Sequence, residues 1–256
     1  MKKSLLVATM LLGLVSYVNA QTNIQEMYDF NRGHFTTTLE MFQADDWGST
    51  FFFTDIYHPN DFTFPSSYYT EIARGLNFWK NTALAPLSLH VEWNGGLGNG
   101  FGISNCWLFG VEYFLHNSDF SNTFTFELMY KNIRSLEVND ISYIPLQFTF
   151  VWGMKDLFDV KGLTFSGFLD VWGEKNTWIN DDLTTDETDW VILSEPQIWY
   201  NVGQHFGCPN LNVGGEVEIA YNFAGGFKEG KLIGPVFANQ NKGFTVAPCL
   251  GVKWVF

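Results

Sequence analysis

Eleven carboxylates recur in one phase of an alternating pattern: Glu40, Asp55, Glu71, Glu92, Glu112, Glu127, Asp170, Glu174, Glu195, Glu216 and Glu218. Most have apolar or aromatic neighbours in the opposite phase, as in Val111-Glu112-Tyr113 and Phe126-Glu127-Leu128. A carboxylate accepts hydrogen bonds from hydroxyls and N–H groups and attracts cations. Only Lys131, Lys253 and His90 bring basic character to the same phase. Burying so many unpaired acids in a dry core would be prohibitive, so this phase must face water. Phe51 and Phe53 share this phase with Asp55.

Other chemistries find no support. His34, His58, His90, His116 and His205 are scattered, and none sits with a serine and an acid on the apolar phase, which a lipid hydrolase would need. The acidic stretch Asn176 to Asp189 reads as a solvated loop without the spacing or glycine of an EF-hand. Gly95 to Gly102 reads as a Gly-rich loop lacking the lysine and helix of a phosphate loop. Cys106, Cys208 and Cys249 match no metal-binding spacing and leave at least one thiol unpaired. No metal or cofactor is expected, nor an enzyme. The net charge of −13 argues against nucleic acid, whose phosphates need a basic footprint.

Period-2 alternation is the signature of β-strands, in which successive side chains point to opposite faces. The closing stretch shows it best. Val246, Pro248, Leu250, Val252, Trp254 and Phe256 share one parity, with Thr245, Ala247, Cys249, Gly251 and Lys253 on the other. Similar segments begin at Asn23, His34, Trp47, Ser66, Leu87, Trp107, Phe124, Leu146, Leu163, Trp190 and Leu211. Pro196 removes a ladder donor and predicts an irregularity in its strand. Arg74 falls in the outward phase, through a bulge, an interfacial position or a different register.

The pattern predicts an all-β chain: a transmembrane antiparallel β-barrel of about twelve strands. Short and long connections alternate along it, as they do between the two sides of a bacterial barrel, provided Asn23 to Asn31 counts as a strand. Lys2, Lys3, the apolar run Leu5 to Val15, and Val18 and Ala20 before Gln21 read as a secretory signal peptide over residues 1–20. The barrel domain is then 21–256, and losing Lys2 and Lys3 takes the charge from −13 to −15. Aromatics at 18% can supply an apolar band and its girdles. The terminal Trp254 and Phe256 resemble the closing strand of outer-membrane barrels, which implies outer-membrane lipid and the barrel-assembly machinery of a Gram-negative cell as partners. About twelve strands would enclose a narrow acidic lumen, suited to small solutes and to cations over anions. The alternatives are a soluble barrel or sandwich, and a barrel closed by side chains that works through its loops.

A family resemblance enters on Glu40-Met41-Phe42, Asp46-Trp47, Phe51, Phe53 and Asp55, with weaker echoes at Glu71-Ile72, Asp156-Leu157-Phe158, Leu163 to Phe168 and Trp172-Gly173. This resembles the nucleoside-specific Tsx channels of the outer membrane over residues 38–57, more thinly over 66–72 and 155–173. The resemblance implies passive uptake of nucleosides past Glu40, Phe51, Phe53 and Asp55; parity alone puts Glu71, Glu92, Glu112, Glu127, Asp170, Glu195 and Glu216 on the same lumen face. The aromatics here are Phe, which stack but form no hydrogen bond, a departure that bears on nucleoside preference.

Overall fold

A computed structural model describes residues 21–58, 65, 67–98, 101–134, 144–179, 182, 184–223, 227–228, 231–232 and 242–256. The expected signal peptide and most of the segments 59–66, 134–140 and 224–243 lie outside them.

The alternating segments form antiparallel strands: β1 (Gln21–Asp29), β2 (His34–Asp45), β3 (Gly48–His58), β4 (Ser67–Leu76), β5 (Leu87–Gly98), β6 (Phe101–His116), β7 (Asn122–Arg134), β8 (Leu146–Lys155), β9 (Leu163–Ile179), β10 (Thr185–Ser194), β11 (Gln197–Tyr200) and β12 (Leu211–Tyr221). A two-rung hairpin of β13 (Phe227–Lys228) and β14 (Lys231–Leu232) precedes the closing strand β15 (Phe244–Val255). Each long strand pairs with its neighbours in sequence, and β15 pairs with both β12 and β1, bringing Trp254 opposite Ile24 and Gly251 opposite Met27. The sheet closes on itself. Counting β10 and β11 as one interrupted crossing, and leaving aside the small hairpin, the wall has twelve strands.

The interruption falls at Pro196, where no N–H is available. Register survives it: Ser194 faces Ile219 before the break and Gln197 faces Glu216 after it. Gly167 on β9 runs alongside, and a Cβ there would stand 2.5 Å from the Glu195 carbonyl oxygen.

Burial decides between a soluble and a membrane barrel. On β7, Leu128 is 55% exposed while its neighbour Glu127 is 8% exposed. On β15, Leu250 is 61% exposed and Ala247 is 3%. Apolar side chains are outside and polar ones inside, the inverse of a soluble core, and such an exterior is favourable only against lipid. Aromatic rings gather where the belt ends. Trp47, Phe78 and Trp79 pack edge to face at one turn end, and Phe114, His116 and Phe120 stack at the next. Among the described residues no helix is long and apolar enough to cross a membrane, which says nothing about strands.

Two expected loops are strand instead. β5 runs to Gly98 and β6 starts at Phe101, so most of the Gly-rich stretch is ladder. Likewise β9 and β10 continue as a hairpin through most of 176–189, with Asp186 opposite Trp178. Main-chain bonds carry both hairpins, and these are indifferent to side-chain polarity. Arg74 does point outward. It forms two bonds of 2.7 and 2.8 Å to Asp45 at the end of β2 and one of 2.8 Å to the Thr50 hydroxyl, so the guanidinium is satisfied at the edge of the wall.

Candidate functional site in the barrel lumen

Register fixes which side chains share the interior. Glu40 faces Phe53 on β3, which faces Glu71 on β4; Asp55 lies opposite Thr38 and Tyr69; Phe51 lies opposite Ala73, which faces Glu92. Further round, Glu112 faces Glu127, Glu127 faces Thr149, and Thr149 faces Asp170. Glu216 faces Gln197. Glu195 follows the same phase at the break in the wall. All eleven residues expected to line the lumen lie on its face.

They form several groups. The first surrounds His90. Its Nδ1 is 2.9 Å from Glu112 Oε2 and its Nε2 is 3.2 Å from Glu92 Oε2, while Asn94 donates to Glu92 Oε1 at 3.2 Å. Glu127 completes it. Gly75 makes room: a Cβ there would stand 2.3 Å from Glu112 Oε1.

A second group follows Lys131, which donates to Gln147 at 2.6 Å and lies 3.8 Å from the centre of the Trp172 ring. Gln147 donates to Thr149, and Thr149 to Asp170 at 2.5 Å. Trp172 donates to Glu174 at 2.8 Å. A third group pairs Thr38 with Asp55 at 2.5 Å and Asn23 with Glu40 at 2.8 Å. Gln197 donates to Glu216 at 2.7 Å, and Lys253 lies 4.4 Å from the Trp199 ring centre. At the loop end Arg32 bonds both Asp29 and Glu218.

The groups reach each other across the barrel. Glu195 interacts electrostatically with Glu216 and Glu218 from its own side and with Asp55 and Glu71 from β3 and β4. Glu71 interacts with Glu92 and also with Asp170 and Lys131. Charges on non-adjacent strands couple only where the lumen is narrow. Phe51, Phe53 and Tyr69 form a strip along one wall, with ring centres 5.9 and 6.1 Å apart. The Tyr69 hydroxyl donates to Glu71 at 2.6 Å.

Several lining residues escaped the sequence reading: Tyr69, Asn23, Gln25 and Trp199. Tyr69 has the parity of Glu71 and was findable. The others lacked a charge to mark them. A different surprise is on the outer wall. Thr37 donates to Glu26 at 2.6 Å and lies 2.8 Å from His58 Nε2, an acid–hydroxyl–imidazole set on the outward phase. The hydroxyl, not the imidazole, is in the middle, unlike a nucleophile–imidazole–acid relay.

Residues 20–256 match the family described as "Domain of unknown function (DUF5020)". The chain belongs to this family. No curated protein matches this DUF5020 chain in sequence. Among solved structures, the NanC porin in a rhombohedral crystal form is similar in fold, with a TM-score of 0.52 at 10% identity, covering 91% of this chain and 98% of that one. A structure described as "Unveiling the Mechanism Behind the in-meso Crystallization of Membrane Proteins" gives a TM-score of 0.45 at 7% identity, covering 92% and 83%. The likeness to NanC shows a shared barrel fold.

Proposed function

We propose that this DUF5020 protein is an outer-membrane channel for passive passage of small solutes, favouring cations over anions. The observation that carries this reading is the division of the wall. A lipid-compatible exterior encloses an interior lined by carboxylates from nearly every strand, with few cations to neutralise them. Export by residues 1–20, folding by the barrel-assembly machinery through β15 and residence in a Gram-negative outer membrane follow from the same reading.

Within it we assign a planar, hydroxylated solute such as a nucleoside. The Phe51–Phe53–Tyr69 strip offers stacking faces, with Asp55 and Glu71 beside it to accept hydrogen bonds. Tyr69 adds the hydroxyl that the phenylalanines lack. A second reading, a non-conducting barrel working through its loops, draws on the narrowness of an interior in which Asp55 and Glu71 act electrostatically on Glu195 from the opposite wall.

Single-channel recording of the refolded protein in planar bilayers tests both. Discrete cation-selective steps blocked by uridine or adenosine but not by glucose, with block weakened in Phe51→Ala and Asp55→Asn, support the nucleoside channel. Steps without nucleoside block retain the channel and discard its solute. Silence from a correctly folded barrel transfers the assignment to the loop-driven reading.

A further inference from the structure

His90 is set apart from the other lumen groups by its neighbours. It sits opposite Gly75 on β4 and Gly110 on β6, so the space beside its ring is left to carboxylates. Its imidazole is 4% exposed. His90, Glu92 and Glu127 each direct one donor atom into a common volume, and these atoms lie within 4.8 Å of one another. Glu127 is 8% exposed, and its carboxylate accepts no hydrogen bond from any described residue. A buried carboxylate without a donor is costly, and this one points at an imidazole nitrogen and a second carboxylate.

The His90–Glu92 distance suits a shared ion. Donor atoms bound about 2.1 Å from one cation, at an angle of roughly 100°, stand about 3.2 Å apart. Nε2 of His90 and Oε2 of Glu92 are 3.2 Å apart. On the far side of the ring, Glu112 takes the Nδ1 proton at 2.9 Å. With Nδ1–H held there, a cation that displaces the Nε2 proton would find the ring oriented as it is behind a metal-bound histidine. Gly75 keeps Glu112 in place, since a side chain there would occupy its position.

We propose that His90 Nε2, Glu92 and Glu127 bind one divalent cation of the zinc class inside the lumen, with Glu112 as the positioning residue. Imidazole with carboxylates selects a borderline cation over calcium or magnesium, which prefer all-oxygen shells. The ion neutralises a cluster that also includes Glu71 and Asp170 nearby. The site rests on the reading of this face as a water-filled interior, but its test is independent of conduction.

The experiment uses the full mature chain, untagged and folded in detergent, loaded with zinc chloride and dialysed. Bound zinc is counted by plasma mass spectrometry, and the coordination shell is read by X-ray absorption. One zinc per chain in a nitrogen and oxygen shell is expected. Glu127→Gln, which keeps the shape and all three thiols, loses it; Glu112→Gln lowers affinity by about tenfold to a hundredfold. Heat-modified mobility on gels establishes that each variant is folded. Absence of retained zinc, a sulfur-containing shell, or undiminished binding in folded Glu127→Gln each overturns the site. Nucleoside block unchanged by chelator separates this outcome from that of the channel assignment.

Discussion

The outer wall is not uniform around the barrel. Over β6 to β8 it is almost entirely apolar: Trp107, Phe109, Val111, Tyr113, Leu115, Phe126, Leu128 and Phe148 are all exposed. Over β1 to β4 the same outward phase carries Glu26, Thr37, His58, Thr54, Thr70 and Arg74. Apart from one oxygen of Glu26, these polar groups find partners within the wall. Thr54 and Thr70 hydroxyls are 2.7 Å apart, Thr37 bridges Glu26 and His58, and Arg74 holds Asp45. The contrast teaches that side-chain polarity alone does not tell inside from outside in a barrel. A polar residue survives on the lipid side if its partner lies one strand away in register.

Substitutions that treat the two sectors alike would break the comparison. The largest effect is expected from Leu128→Arg, which puts a charge on the apolar sector at a cost of about 2–4 kcal/mol near mid-membrane. Thr37→Arg should cost less than half of that, because Glu26 is present to pair with it. Urea unfolding in lipid vesicles measures both, and equal costs would abolish the distinction between the sectors. A smaller effect of opposite sign is expected at Glu26. Its Oε1 is buried without a partner, so Glu26→Leu should raise stability by about 1 kcal/mol. A loss instead would mean that the Glu26–Thr37–His58 set is net favourable.

The smallest effect belongs outside the membrane. In the turn after β6, the backbone N–H of Ser121, 3.1 Å away, and its hydroxyl hold the Asp119 carboxyl below its ordinary range. A depressed carboxyl contributes stability above its unfolded pKa of about 3.9 that is lost as pH falls through the folded value. Asp119→Ala should therefore leave a slight deficit in thermal midpoint at neutral pH that vanishes under acid, read by circular dichroism.

Much of this architecture was legible because parity is a one-dimensional signal. Glu127 between Phe126 and Leu128 announces both the strand and its inward residue, and Pro196 announces its own break. What parity cannot give is register between strands. His90, Glu112 and Glu127 come together only because His90 pairs with Gly110 and Glu112 with Glu127, and nothing within any one segment states this. The hairpin of β9 and β10 was missed for a related reason. Its acidic residues look solvated, and they are, but Trp178 donates to Thr188 and Lys175 pairs with Glu187 across a ladder that runs on beneath them. The resemblance to nucleoside channels rested on residues 38–57, whose lumen-facing parity many barrels would share.

Strand length varies round the wall, and this shapes the approach to the lumen. β9 has 17 residues and β1 has 9, a difference of eight, or roughly 25 Å of additional strand. Among the described residues, the ladder at the loop end therefore extends furthest at β9 and least at the β1–β2 turn. At that short edge Arg32 is clasped between Asp29 and Glu218. The border of an acidic interior is therefore marked by a guanidinium, a fixed positive charge that gives this edge a field of opposite sign to the carboxylates below.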